Sequence, residues 1–278
     1  MRSRNRFIFF CSFLVLLLST PALAGVLTIQ VETTLETEED RLRGTIKVTN
    51  RGDEPALDLR AEIILPGEQL QREITRKLEP KGSAFLSFDA RLAGLKKGSY
   101  PLPITVIFHD AKLYPFSALS CPVFSYGAEG NQVLNCTALP ANIGERGEIS
   151  FTLKSSSAAA RTMEAMVFLP REFHSPRPRF SLTIEPQELR TLSFEVFNSS
   201  ALQGASYPVY GIIQYEIEGL HQALVIPTTL KITEKGNWFA KTRWYWLLGG
   251  LLLGVITVGR WLNKRQRINF LKKSIDII

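Results

Sequence analysis

The sequence is poor in the side chains that do chemistry. Its 278 residues include three histidines and three cysteines. His109, His174 and His221 stand far apart, and none falls in an H-x-x-x-H or H-E-x-x-H spacing, so there is no metal-site pattern. Neither a G-x-S-x-G elbow nor a glycine-rich phosphate loop occurs. The acidic run Glu38-Glu39-Asp40 lacks the spaced ligands and glycine of a calcium loop and reads as a solvated turn. Tryptophan is confined to Trp238, Trp244, Trp246 and Trp261, which leaves the preceding chain without the indole platforms that sugar sites favour. These absences point away from an enzyme, a cofactor or a lectin.

A basic surface is also missing. The formal charge of +7 is concentrated at the two ends, and residues 25–240 hold 22 basic against 25 acidic side chains. The excess therefore reports targeting and topology, and excludes nucleic acid as a partner.

What is present is organised by Trp244–Leu262, WYWLLGGLLLGVITVGRWL, whose single charge is Arg260. A helix of this length rises about 28 Å, close to the ~30 Å bilayer core. Before it, residues 1–24 have a basic start, an apolar run Phe7–Leu18 and a small-x-small end at Ala22-Leu23-Ala24, the pattern of a cleaved signal peptide. Lys and Arg follow the apolar stretch, so the positive-inside rule and the leader both place residues 25–243 outside and 263–278 inside. The expected localisation is a cytoplasmic membrane, single-pass, with a periplasmic or extracellular N-terminal region. Gly250 and Gly254 form a small-xxx-small pattern that suits either close helix packing or a monomeric anchor. In the tail, Lys264, Arg265, Arg267, Lys272 and Lys273 flank an apolar stripe. That stripe suits the inner leaflet, a membrane-protein partner, or a plain stop-transfer cluster.

Between leader and anchor the chain alternates with period two, punctuated by Gly, Pro and Asn turns about every 8–12 residues, the pattern of an antiparallel sandwich. Strands are expected at Gln71–Leu78, Ser83–Ala90, Tyr100–His109 and Leu113–Ser125 among others. No amphipathic helix of more than two turns is readable there. The region is also internally repeated. Gly44-Thr-Ile-Lys-Val-Thr recurs as Gly147-Glu-Ile-Ser-Phe-Thr, and Ile64-Leu65-Pro66 as Phe168-Leu169-Pro170. Leu78-Glu79-Pro80 recurs as Ile184-Glu185-Pro186, and Gly98-Ser99-Tyr100-Pro101 as Ala205-Ser206-Tyr207-Pro208. Four blocks in the same order, at offsets of 103 to 107, indicate a duplicated domain. The expected organisation is signal peptide 1–24, sandwich 25–126, sandwich 127–234, linker 235–243, transmembrane helix 244–262 and basic tail 263–278.

The blocks V-T-N-R-G-x-x-P-A-x-x-L (Val48–Leu59), I-I-L-P-G-E, E-P-K-G and G-S-Y-P resemble the Ig-like β-sandwich modules of bacterial and archaeal surface proteins, of CARDB and NEW3 type. The resemblance spans both repeats, roughly residues 27–233. The second departs from it where Leu153-Lys154-Ser155-Ser156-Ser157 replaces the Asn-Gly turn. It implies an all-β protein of two tandem Ig-like antiparallel sandwiches, followed by one transmembrane α-helix, serving as a spacer, adhesion or assembly module. At Asn50-Arg51-Gly52-Asp53 the expected function is a hairpin turn with positive φ, rather than adhesion through the R-G-D tripeptide.

Two further features are candidate sites. Cys121 and Cys136, after export, form either one disulfide or two buried thiols. The loop Arg171–Arg179 carries Arg171, His174, Arg177 and Arg179 with two prolines, and suits either an acidic protein or anionic envelope polymer, or plain solvation. The leading expectation is a non-enzymatic envelope protein with an extracytoplasmic binding or assembly module. The alternative is an accessory subunit of a membrane transport, secretion or signalling complex, recognised through its helix and tail.

Overall fold

The computed structural model describes residues 27–128 and 130–233, and helical positions 242, 244–251, 253–254, 257–258 and 260. The chain divides into a compact unit ending at Thr233 and a second unit, Glu234–Ile278.

The first unit is all-β and mainly antiparallel. In the first repeat, β1 (Ile29–Glu38), β2 (Arg41–Asn50) and β5 (Ser83–Arg91) form a sheet in the order β1-β2-β5. Facing it are β3 (Ala56–Leu65), β4 (Glu68–Leu78), β7 (Ile104–His109) and β8 (Pro115–Ser120), in the order β4-β3-β7-β8. The second repeat matches this order. Strands β10 (Leu134–Ala138), β12 (Arg146–Ser155), β16 (Leu189–Asn198) and β14 (Phe173–His174) run β10-β12-β16-β14. Strands β13 (Arg161–Phe168), β15 (Arg179–Ile184), β17 (Ser206–Ile217) and β18 (Leu220–Ile232) run β15-β13-β17-β18. Registers correspond as well: Ile46 opposes Leu86 as Ile149 opposes Phe194, and Ala61 opposes Val106 as Ala165 opposes Ile213.

The alternation that predicted strands also builds two cores. Leu42, Ile46, Val48, Leu59, Ile63 and Ile104 are buried in the first cluster; Ile149, Phe151, Leu153, Val209 and Ile213 are buried in the second. Each fully buried aliphatic or aromatic side chain contributes about 1.5–3 kcal/mol. A tyrosine ties back the same bend in both copies: the Tyr100 hydroxyl donates to the Lys96 carbonyl (2.8 Å), and the Tyr207 hydroxyl accepts from the Leu202 amide (2.9 Å).

The structure departs from the sequence pattern at three places. First, the strands expected over Tyr100–His109 and Leu113–Ser125 are each two strands. Pro103 and Pro122 lack the N–H a continuous ladder needs, and the chain changes sheet there. The early halves and late halves separate, so that β6 (Gly98–Pro101) and β9 (Val123–Tyr126) leave the first repeat's sheets and extend the sheet of the second repeat to β15-β13-β17-β18-β6-β9. A short β11 (Ala141–Ile143) also pairs with β18, in parallel.

Second, Asn50–Asp53 is not a hairpin. It carries the chain from β2 to β3 in the facing sheet, and neither Asn50 nor Gly52 has positive φ. The turn is held by the buried Asn50 side chain, which donates to the Glu54 carbonyl (2.7 Å) and accepts from the Gly52 amide (2.9 Å). The second repeat reaches the same end with serines: buried Ser155 accepts from the Ser157 amide, and the Ser157 hydroxyl donates to the Ala159 carbonyl (2.7 Å).

Third, Cys121 and Cys136 are free thiols, which corrects the disulfide expectation. Cys121 follows β8 and is buried outside both cores, whereas Cys136 lies in β10, opposite Leu153, at the flank of the second core. The Pro122 bend directs the first thiol to a different packing layer from the second.

In the second unit, described positions are helical, and Trp244 to Leu251 are exposed. No helix of the described residues is long and apolar enough to cross a membrane. A Cβ added at Gly250 or Gly254 meets nothing within 4 Å. Residues 1–24, most of the linker, part of the apolar stretch 244–262, and Lys264, Arg265, Arg267, Lys272 and Lys273 lie outside the described residues.

The duplicated copies differ at one informative position. Gly98 has φ 140°, and a Cβ there would lie 1.9 Å from the His221 carbonyl oxygen; its counterpart in the repeat is Ala205. Gly98→Ala is therefore expected to destabilise by about 3 kcal/mol, lowering Tm by roughly 6–12 °C. Ala205→Gly should cost under about 1 kcal/mol; thermal unfolding of both variants checks the pair.

Candidate functional site

The polar side chains that fall together do so where the two repeats meet. Strand β6 lies parallel to β18 with Gly98 opposite His221. The His221 amide donates to the Lys97 carbonyl (2.9 Å), and its Nδ1 lies 2.7 Å from the Ser99 carbonyl. Because a carbonyl only accepts, this Nδ1 carries the proton. The imidazole stacks on Tyr100 with ring centroids 4.1 Å apart. Ser99 completes the seam: its hydroxyl accepts from the Ala223 amide (3.0 Å) and donates to Gln222 Oε1 (3.4 Å). Lys96 pairs with Glu216 at 2.6 Å, and this bond, with the Lys96 charge, holds the Glu216 carboxyl below its ordinary value.

Further along the seam, apolar packing takes over. Ile212 is 0% exposed although it sits on the face of β17 turned away from the second core. Leu119 and Cys121 are likewise buried outside both cores, and β8 contacts β17. Burial, with Cys121 close by, raises the Tyr210 phenol. The Cys121 thiol is pushed up to about 12 and the Cys136 thiol to about 11, in both cases by burial.

The loop 171–179 supplies the far end of the seam. Glu172 is 2% exposed. Its carboxylate accepts from the Ser117 amide (2.9 Å) and hydroxyl (2.6 Å), while its backbone carbonyl accepts from the Ser199 amide. Arg171 reaches across to Glu62 of the first repeat at 2.6 Å. Of the expected partner contacts, Arg171 is thus already spent within the chain, and Arg179 pairs with Glu164 at 3.1 Å. His174 stacks on Phe197 and places Nδ1 3.0 Å from the Ser199 hydroxyl. Arg177 has no ion pair among the described residues and lines a shallow gap of 480 Å³ with Phe180, Phe194 and Glu195.

Sequence spacing gave no warning of the His174–Ser199 pair, which is brought together by β14 lying on β16. The distance suits a nucleophile and base, yet both residues are exposed, and no carboxylate among the described residues bonds the other ring nitrogen to orient it. No group of His, Cys, Asp or Glu among the described residues forms a metal-binding cluster.

A cleft of 420 Å³ opens beside Arg171, over β3, β4 and β7. Arg60, Arg72, Glu62, Glu73 and His109 line it, and His109 Nδ1 is buried there without a hydrogen-bond partner among the described residues. The mixture of both charges with an unsatisfied imidazole nitrogen suits a polar protein surface rather than an apolar small molecule.

No family model matches the chain, and no curated protein matches it. Among solved structures, it is similar to red sea bream transglutaminase, with 6% identity, 75% of this chain and 31% of that one covered, and a TM-score of 0.28. It is similar to the native form of E. coli alpha-2-macroglobulin, with 8% identity, 74% and 17% covered, and a TM-score of 0.29. It is also similar to the CsuC–CsuE chaperone–tip adhesion subunit complex of Acinetobacter baumannii, with 12% identity, 38% and 59% covered, and a TM-score of 0.27. The chain spans less than two thirds of each of these chains, and likenesses this distant carry no function with them.

Glu172→Ala is expected to cost about 3 kcal/mol, because it strands the buried Ser117 donors. A double-mutant cycle with Ser117→Ala should show coupling in denaturant unfolding but recover only part of that loss, because the Ser117 amide still lacks its acceptor and the Arg171 amide loses the Ser117 hydroxyl. Both thiols should remain free on non-reducing mass analysis. They should also alkylate slowly at pH 8 in the folded protein, since the reactive thiolate forms only towards pH 11–12.

Proposed function

We propose that this chain is a non-enzymatic, single-pass envelope protein. Its tandem Ig-like sandwiches act as an extracytoplasmic binding and assembly module on the outer face of a cytoplasmic membrane. A signal peptide at residues 1–24 and an anchor at 244–262 fix that topology, with the basic tail inside. The observation that carries the reading is the seam. His221, Glu172 and Arg171, of which Arg171 was the one expected as a partner contact, bond one repeat to the other, which makes a body suited to presenting surfaces. The recurring strand order supports the tandem sandwiches, and the paired tyrosine ties are a feature of Ig-like folds. The charge asymmetry around residues 244–262 supports the orientation. The cleft beside Arg171 is the face offered to a protein partner or anionic polymer.

Replacing residues 244–278 by an unrelated single-pass anchor tests the assignment. Crosslinking from intact membranes should capture the same partners after the swap, at yields within about twofold. Loss of all partners would instead favour an accessory subunit recognised through its helix and tail.

A further inference from the structure

The two repeats treat their sheet edges differently. An open edge invites pairing with another strand, and proteins guard such edges with charge, bulges or a covering segment. Strand β4 is guarded: it carries Arg72, Glu73, Arg76 and Lys77, and its pairing with β3 is broken by a bulge at Leu59–Arg60. The edge of β16 is begun by β14, which pairs with Phe197 and Asn198. The corresponding edge of β5 has no strand on it among the described residues.

The phase of the ladder says which groups that edge presents. The Asn50 amide donates to the Gly82 carbonyl, and the Leu92 amide donates to the Asp40 carbonyl. In antiparallel alternation, Ala84, Leu86, Phe88 and Ala90 therefore exchange backbone bonds with β2. Ser83, Phe85, Ser87 and Asp89 aim their N–H and C=O groups away from it. No proline, bulge or inward charge interrupts the run Ala84–Phe88. Its outer face carries Phe85, 64% exposed.

We propose that this edge pairs antiparallel with the β5 edge of a second copy of the chain, in the register that sets Phe85 against Phe85. The choice of occupant and register comes from self-complementarity. Centred on Phe85, the pairing opposes aromatic to aromatic, Ser83 to Ser87, and the Asp89 end to the end where Lys81 stands. The hydroxyl row already formed by Thr45 with Ser87 (3.4 Å) and Thr49 with Ser83 (2.9 Å) then continues across the join. Shifting the centre to Ser87 sets Phe85 against Asp89, and the register between them sets Lys81 against Arg91. A two-fold pairing of this kind is closed and stops at a dimer. It supplies about six backbone hydrogen bonds plus one aromatic pair. Such an interface is small, so it depends on the concentration that a shared membrane provides; in this respect it rests on the anchored reading above.

The test uses the full-length protein in its membrane under mild oxidation, with crosslinked peptides identified by mass. Opposed residues in a bonded antiparallel pair lie about 5.5 Å apart, within disulfide reach. Phe85→Cys should dimerise through that position. Ser83→Cys mixed with Ser87→Cys should give the mixed dimer at least about tenfold above either alone, because self-pairs at those positions sit about 13 Å apart. Phe85→Arg added to the mixed pair should abolish it. Failure of Phe85→Cys and of the mixed pair to crosslink above wild type overturns the proposal. So does equal crosslinking of Ser83→Cys with itself. Capture of a different protein by a photo-crosslinker at Phe85 overturns self-pairing too, yet leaves the assembly function standing.

Discussion

The contact between Gly98 and the His221 backbone fixes the arrangement of the two repeats. It exists only because residue 98 has no Cβ, and it turns β6 into a strand of the neighbouring sheet. Once that pairing forms, Ser99, Tyr100 and Lys96 fall against Gln222, His221 and Glu216. The other end of the seam, Glu172 on Ser117, follows from the same alignment. A flexible link between domains would leave these groups in water. Here a continuous sheet runs from β15 to β9, and a buried carboxylate is satisfied by two donors from the other repeat.

The duplication explains the strand order, and the divergence of the copies explains the seam. Both copies keep the sheet orders, the aligned registers and the tyrosine tie. They part at the seam: Gly98 against Ala205, and the loop 171–179 against the short turn Leu65–Glu68. Each difference serves the contact between copies rather than the fold within one. Divergence of this kind is what a duplicated domain needs in order to pack on itself asymmetrically and remain a closed two-part body, without stacking further copies.

The strands and the repeat were legible because period-two alternation and block offsets are local signals. Leu42, Ile46 and Val48 are apolar positions of that alternating stretch, and they are buried. The interruptions at Pro103 and Pro122 were visible as residues but not as sheet changes, since the sheet a strand joins depends on partners far away in sequence. The seam was hidden for the same reason. Arg171 and Glu62 are 109 positions apart, and Ser99 and Gln222 are 123 apart. A basic, proline-bearing loop looks the same whether it waits for an external partner or is already docked. One signal was available, the glycine standing where the repeat has alanine. The cysteines misled because their sequence proximity says nothing about which packing layer each thiol enters.

An assembly function requires a body that keeps its surfaces fixed relative to one another, and so requires the seam to be as stable as the cores beside it. Native-state hydrogen exchange at the His221 and Ala223 amides measures this directly, because their acceptors, the Lys97 carbonyl and the Ser99 hydroxyl, belong to the other repeat. Both amides are predicted to exchange with the same opening free energy as the core amides of β17 and β18. Fast exchange at these two positions, while the β17–β18 ladder stays protected, would mean that the repeats swing independently and would contradict the account.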